Sequence, residues 1–377
     1  VIPQQWGLPQ IKDIASISSG STPNRNNSEY WNGNIAWVTT GELSSGHVNH
    51  TSELITVKAV KETKMRIYPQ GTLLMAMYGQ GKTRDTVAIL EIDAAVNQAC
   101  AAITVKDGKS KFLFYQLKNS YQDIRKLSNT GNQENLNADI IKTYQVPWAP
   151  DEEQERISTI LTTQDKVIEL KEKQLTGKQR QKKYLMQQLL TGKKRLPGFA
   201  FEVEKTNIKA ISTYSVSTIS QTMLESYEGK QLYPVFNANS IAGHVDFYEN
   251  ECPYISIIKD GAGIGRVRLC EAKSSTIGTM GCIHARKGIS IIFLYYLLEQ
   301  VDFNKYSNGS TIPHLYYKDY SCEKVRIPDI KEQAAIAEVL STADREIELL
   351  QQDIEQEKQK KKALMQLLLM GIVRVKI

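Results

Sequence analysis

The sequence predicts an α+β chain: two mixed α/β units in tandem, separated and joined by two long helices packed as an antiparallel coiled coil with pseudo-two-fold symmetry. Three observations lead there. One stretch of the chain is present twice. Both copies carry the periodicity of a single long helix. The segments outside the copies read as short strands divided by loops rich in glycine, serine and asparagine.

The copies open at Glu153-Gln154 and Glu332-Gln333 and align without a gap to Arg195 and Arg374; about 18 of roughly 43 aligned positions are identical, too many for chance. In the first copy Ile157, Leu161, Ile168, Leu175, Leu185 and Leu189 fall on steps of three and four. In the second, Ile336, Leu340, Ile347, Leu350, Ile354, Leu364 and Leu368 do the same. Such a stripe is the seam of a coiled coil. Each helix is expected to run ~38 residues, or roughly 57 Å at the α-helical rise.

Asp151 with Gln154, and Asp329 with Glu332, are spaced like an N-cap and the side chain that reaches back to it. Pro150 and Pro328 stand just before them. Gly192 and Gly371 occupy the place of a left-handed closing residue, and Lys193, Lys194 and Arg195 complement the negative end of the dipole. A helix this long with one narrow apolar stripe needs a partner along most of its length. Its own copy is the candidate, and two unrelated surface helices are the alternative.

The boundaries follow: 1–150 for the first unit, 151–195 for the first long helix, 196–327 for the second unit and 328–377 for the second long helix. In the first unit, Ile11 to Ile17, Ile35 to Thr39, Thr72 to Met77 and Thr86 to Ile92 read as strands, Phe112 to Leu117 as a short helix and Asn129 to Asn137 as a polar loop. The second unit repeats the plan loosely. Tyr233 to Phe236, Tyr254 to Ile258 and Arg266 to Cys270 read as strands, Asn237 to Gly243 as a loop and Ile289 to Gln300 as an apolar helix. A duplicated frame with diverged units implies one shared mechanical role and two different recognition tasks.

Composition narrows the class. No run of ~18 apolar residues predicts a membrane helix, and nothing near Val1 resembles a signal peptide. A chain that starts at Val1 leads us to expect missing leading residues. Five scattered cysteines without a Cys-x-x-Cys pair favour a cytoplasmic location and argue against zinc. A net charge of +6 is compatible with nucleic acid.

Catalytic signatures are missing. Gly79-Gln80-Gly81-Lys82-Thr83 looks like the tail of a P-loop, but Ala76 stands where its first glycine belongs. Asp260-Gly261-Ala262-Gly263-Ile264-Gly265 has the wrong spacing for a dinucleotide fingerprint and reads as a tight turn between strands. There is no Pro-Pro pair, so the amine-holding motif of amino-methyltransferases is absent, and there is no His-Glu-x-x-His and no Gly-x-Ser-x-Gly. Neither a metal site nor a catalytic residue is expected.

Binding groups remain. The first unit offers Arg25, Asn26, Tyr30, Trp31, Tyr78, Gln80, Lys82, Thr83, Arg84, Gln98, Asn132, Gln133 and Asn135. The second offers Asn237, Asn239, Lys259, Arg266, Arg268, Thr279, Asn308, Ser310, Thr311 and His314. Arginine can fork onto guanine, asparagine and glutamine onto adenine, and the hydroxyls and lysine onto base edges or phosphate.

At this point the chain resembles the specificity subunits of Type I DNA restriction–modification systems. The residues that carry the resemblance are the Pro and Glu-Gln openings of the long helices, the Leu-Met-Gln-x-Leu-Leu-x-Gly closings at Leu185 to Gly192 and Leu364 to Gly371, and the stretches Tyr233 to Gly243 and Asp260 to Gly265. Gly278-Thr279-Met280 departs from Asn97-Gln98-Ala99 of the first unit. The resemblance implies two target recognition domains, each reading half of a split site in double-stranded DNA, with the helices as spacer. It implies two methyltransferase subunits docked on the helix frame, motor-nuclease subunits for restriction, and S-adenosylmethionine held by the methyltransferases rather than by this chain. Lys171, Lys178, Lys182, Glu357 and Lys361 lie on the helix stripes. They read as charges paired by antiparallel packing, as contacts to DNA or a methyltransferase, or as solvated stems covering the seam. A fused methyltransferase and a coiled-coil scaffold without a nucleic-acid role are the alternative functions.

Overall fold

The structure, a computed structural model, describes residues 2–78, 86–107, 109–127, 136–199, 203–309 and 312–376. The chain divides into two units. The first comprises Val1–Lys171 with Asp353–Ile377, and the second Glu172–Gln352. Each long helix therefore contributes one end to each unit. The helices run Asp151–Leu189 and Ile330–Leu369, 39 and 40 residues. Among the described residues no helix is long and apolar enough to cross a membrane.

In the first unit a five-stranded sheet is ordered Ala15–Ser19, Cys100–Val105, Leu73–Ala76, Val87–Leu90 and His47–Val48, antiparallel except for the last pair. Beside it a three-stranded sheet sets Trp31–Val38 between Glu53–Ile55 and Ala94–Val96. Leu73–Ala76 and Val87–Leu90 are buried at every position, the pattern of strands covered on both faces. The helix Ser110–Lys126 supplies Phe112, Leu113, Leu117 and Ile124 to the core. That core also takes Ile157 and Leu161 from the start of the first long helix and Met365, Leu368 and Leu369 from the end of the second.

The second unit repeats this order. Its four-stranded antiparallel sheet runs Ser212–Val216, Met280–Ala285, Tyr254–Ile258 and Val267–Cys270. Its three-stranded sheet sets Tyr233–Phe236 between Ile241–Val245 and Ser275–Thr276. Helix Ile291–Glu299 backs the larger sheet, and the core takes Met186, Leu189 and Leu190 from the end of the first long helix and Ile336, Ala337 and Leu340 from the start of the second.

In both units the helix segments run antiparallel. Gln164 Nε2 donates to Glu357 Oε2 at 2.7 Å, and seven residues on, Lys171 reaches back to Asp353 at 2.8 Å and Glu357 at 2.9 Å. In the second unit Lys178 meets Glu346 at 2.7 Å and Lys182 meets Asp344 at 2.6 Å. Each stripe lysine thus pairs with a carboxylate, Lys171 with the stripe residue Glu357 and the others with Glu346, Asp344 and Asp165. The apolar seam is tightest at its ends. Ile157, Leu161, Ile168, Leu189, Ile336, Leu340, Ile354 and Leu368 are buried, while Leu175, Leu185, Ile347, Leu350 and Leu364 are half-buried.

A second set of contacts closes each unit. Glu153, fully buried, accepts from Trp6 Nε1 at 2.9 Å and from Arg374 Nε and Nη2 at 2.6 and 2.8 Å. Glu332, fully buried in the second unit, accepts from Arg195 Nε at 2.7 Å and from its Nη2. Each arginine follows a long helix by one tight turn. Gly192 and Gly371 have φ of 67° and 66°, their N–H groups donate to Leu189 O and Leu368 O, and Lys194 N and Val373 N donate back to Gln188 O and Leu367 O, a left-handed glycine closure in both copies. Arg195, expected to complement the helix dipole, instead forks onto a carboxylate.

Several local expectations need correction. Ile11–Ile14 is a single helical turn rather than the start of a strand, because Ile11 turns inward and Gln10 and Asp13 cap each other. The helix predicted at Phe112 to Leu117 extends over Ser110–Lys126. Ile241–Val245 is a strand, so the loop after Phe236 is shorter than expected. Asp329 caps the second long helix by accepting from Lys331 N and Glu332 N. Asp151 does not play that part. It lies in the first turn and pairs with Lys109, while Pro150 O takes the backbone donors of Glu153 and Gln154.

Acid should weaken the first unit in a defined window. Gln164 and Lys171 hold the Glu357 carboxyl down at about 2. Burial pushes Glu153 up, but Arg374 and Trp6 outweigh it and hold it below the ordinary value. Depressed carboxylates contribute stability above their unfolded pKa of ~4.3 and lose it as pH falls through the folded value. Urea midpoints should be level near neutrality and fall between about pH 4.5 and pH 2. Glu357→Gln should flatten part of that fall, and an unchanged slope would contradict the assignment.

Candidate nucleic-acid interface

The expected binding residues of the first unit that lie within the described residues gather in two places. Arg25 stacks on Trp31, 4.1 Å from the ring centroid, with Trp37 at 5.0 Å, and forks onto Glu53. Trp37 is buried and crosses Trp31 edge to face at 5.2 Å. Trp31 Nε1 donates to Asn24 O, Asn24 Oδ1 accepts from Asn26 N, and the Tyr30 hydroxyl donates to Glu62 at 2.7 Å. This cluster fastens the loop at residues 20–30 to the three-stranded sheet, and the guanidinium of Arg25 is already occupied. The second place is the turn before Cys100–Val105, where Gln98 accepts from Thr22 Oγ1. Tyr78 is exposed at the end of its strand. Gln80, Lys82, Thr83, Arg84, Asn132, Gln133 and Asn135 lie outside the described residues, as does the P-loop-like stretch.

In the second unit Asn237, Asn239, Arg266 and Arg268 come together around a cleft of about 290 Å³, which Ile258 and Met280 also line. Asn237 Oδ1 accepts from Asn239 N and Ser240 N at 2.9 and 2.8 Å, building the turn. Arg266 Nη2 donates to Ala238 O and to Asn239 Oδ1, both at 2.8 Å. Arg268 lies over the Phe236 ring at 4.5 Å. Beside the cleft Asp260 accepts from Lys259 and meets His314 Nδ1 at 2.7 Å. Burial raises the Asp260 carboxyl, and the hydrogen bonds from Lys259 and His314 outweigh burial and hold it below the ordinary range. Asn308, the strand partner of His314, donates to Tyr306 O and Asp319. Ser310 and Thr311 lie outside the described residues.

The glycine run from Asp260 to Gly265 is a turn between strands, as its spacing suggests. Gly265 has φ of 80°, and a Cβ there would stand 2.3 Å from Phe303 Cβ. One alignment shifts. Met77 N donates to Ala99 O and Lys259 N to Thr279 O, so Thr279 matches Ala99 and Gly278 matches Gln98. Thr279 is exposed beside the cleft. The match of Leu136 with Leu315 stands on equivalent bonds, Leu136 N to Met77 O and Leu315 N to Lys259 O.

Sequence reasoning missed the residues that mount these loops on the helices. The Tyr115 hydroxyl donates to Asp165 at 2.7 Å, and Asp165 also pairs with Lys361. The Tyr296 hydroxyl donates to Asp344 at 2.7 Å, and Asp344 pairs with Lys182. Both lysines lie over the tyrosine ring, at 5.8 and 5.3 Å. The signal was present in the repeat, since both Asp–Lys pairs are identical between the copies.

Among the described residues no group of three or more His, Cys, Asp or Glu side chains is placed to hold a metal ion. The Type I restriction modification DNA specificity domain matches residues 3–177 and 199–359. This chain belongs to that family. It is 24% identical over 366 residues to the EcoprrI specificity subunit of Escherichia coli, covering 90% of this chain and 87% of the relative. The MjaIX specificity subunit of Methanocaldococcus jannaschii is 34% identical over 179 residues, 46% of this chain and 41% of that relative. The fold is similar to a solved S subunit from M. genitalium, with TM-score 0.65 and 16% identity over 98% of this chain and 96% of that one. It is also similar to a chain solved in a study of Type I complex assembly and conformational transition, with TM-score 0.62 and 14% identity over 99% of this chain and 100% of that one.

The Arg25 cluster fastens its loop to the three-stranded sheet. Its side chain is half exposed, so Arg25→Ala should cost about 1 kcal/mol through the lost cation–π contact and fork. Chemical denaturation checks this, and an unchanged midpoint would show the cluster to be dispensable.

Proposed function

We propose that this chain chooses the DNA sequence for a Type I restriction–modification assembly whose chemistry is performed by other chains. Each unit is a target recognition domain reading one half of a bipartite site in double-stranded DNA. Two methyltransferase subunits dock on the helix frame and hold S-adenosylmethionine, and motor-nuclease subunits join them for restriction. This chain binds no cofactor of its own. One observation carries the reading. The residues that mount each unit on the helices are the same in both halves, Glu153 and Arg374 against Glu332 and Arg195, while candidate readers differ where the units can be matched, as at Gln98 against Gly278 and Ala88 against Arg268. A frame kept constant under loops that change is what two different half-sites on one scaffold require.

The long helices supply the ruler. Each runs unbroken from one unit into the other, so added helix length should become added distance between half-sites. Matched insertions of four residues, after Gln174 and after Leu350, keep the antiparallel partners facing and add about one turn, a stutter that coiled coils absorb. The expected result, read by mapping methylated adenines in the host genome, is the same two half-sites with the gap longer by roughly one to two base pairs. Methylation at an unchanged gap would overturn the ruler, and no methylation of any split site by the native assembly would overturn the function.

A further inference from the structure

We propose that Arg268 reads a guanine in the half-site of the second unit. The inference rests on the function proposed above and names one of its base contacts. Arg266, just before the strand Val267–Cys270, and Arg268 within it stand two positions apart, and the structure treats them differently. Arg266 is held by Ala238 O and Asn239 Oδ1 and shapes the turn. Arg268 is exposed, and among the described residues no hydrogen bond or ion pair engages its guanidinium. It is nonetheless held in place. Its guanidinium carbon lies 4.5 Å over the centroid of Phe236, a buried ring, and its backbone belongs to a strand whose partner Ser256 donates to Arg268 O. A guanidinium fixed by stacking, with its donors open and mounted on a strand, has lost much of its rotamer freedom before it meets a ligand.

Such a fork selects a planar edge with two acceptors side by side. In the major groove guanine alone presents that pair, at O6 and N7, while adenine and cytosine put an amino group in the way. The neighbours fit a base edge. Ile258 and Met280 give the cleft an apolar floor, and Asn237 and Asn239 stand on its rim. The first unit has Ala88 at the equivalent place in its sheet, so the contact belongs to one half-site only.

The test uses the full chain with its own methyltransferase partners in the host cell, with methylated adenines mapped across the genome. Arg268→Ala should relax one position of one half-site, a guanine in the native motif, by about tenfold or more, leaving the other half-site and the gap unchanged. Arg268→Gln should move that position toward adenine. Arg268→Lys keeps the charge without the fork and should relax like alanine. Three outcomes would overturn the inference: an unchanged motif, a relaxed position other than guanine, or methylation lowered evenly at all sites as a phosphate contact predicts. Loss of all methylation by all three variants, with native melting temperatures, would also overturn it. Split-site methylation by the native chain keeps this failure separate from failure of the function itself.

Discussion

Each unit is closed by a buried carboxylate that only an antiparallel helix pair can satisfy. Glu153 sits in the first turn of one long helix, and Arg374 arrives just past the end of the other. Glu332 and Arg195 repeat the arrangement. Taking such a carboxylate out of water costs several kcal/mol unless a cation and hydrogen bonds replace the solvent. A parallel pair would set the two glutamates side by side and carry both arginines to the far end. The clasp is therefore best understood as a device that fixes direction and register, with its net stabilisation a smaller matter.

Direction once fixed, the seam divides its labour along its length. Its ends are apolar and belong to the unit cores, through Ile157 and Leu368 in one unit and Leu189 and Ile336 in the other. Further along, Lys171, Lys178 and Lys182 cross to Asp353, Glu357, Glu346 and Asp344. Charges on an a/d seam weaken it relative to leucine but admit few alternative registers, since a slip of one turn would carry Glu346 away from Lys178 and Asp344 away from Lys182. The Tyr–Asp–Lys groups at Tyr115 and Tyr296 then tie the sheet-backing helices to this seam. Loops carried by the sheets are thus held to the helices through polar contacts repeated in both halves.

Much of this frame was legible in the sequence, because a heptad stripe and an ungapped repeat report the same physical fact, one buried face per helix. The left-handed Gly192 and Gly371 were legible for a similar reason, since helix closure tolerates few residues. Arg195 and Arg374 were not assigned to their glutamates, because the partners lie on different helices and only the antiparallel packing brings them together. The difference between Asp151 and Asp329 was hidden as well. Both have capping spacing, and a local competitor, Lys109, draws one of them away. Among the candidate readers, residue type alone could not separate Arg25, which forks onto Glu53, and Arg266, whose Nη2 is taken up by the turn, from Arg268, whose donors are open among the described residues.

The direct measurement of the central claim is a double-mutant cycle across one clasp, with Glu153→Gln, Arg374→Gln and the pair, followed by denaturant unfolding of the full chain. If the buried pair sets the packing, each single change destabilises and the double change costs clearly less than their sum, with a coupling of about 1 kcal/mol or more. Additive losses, with no coupling beyond about 0.3 kcal/mol, would show that Glu153 and Arg374 act independently and would contradict the account.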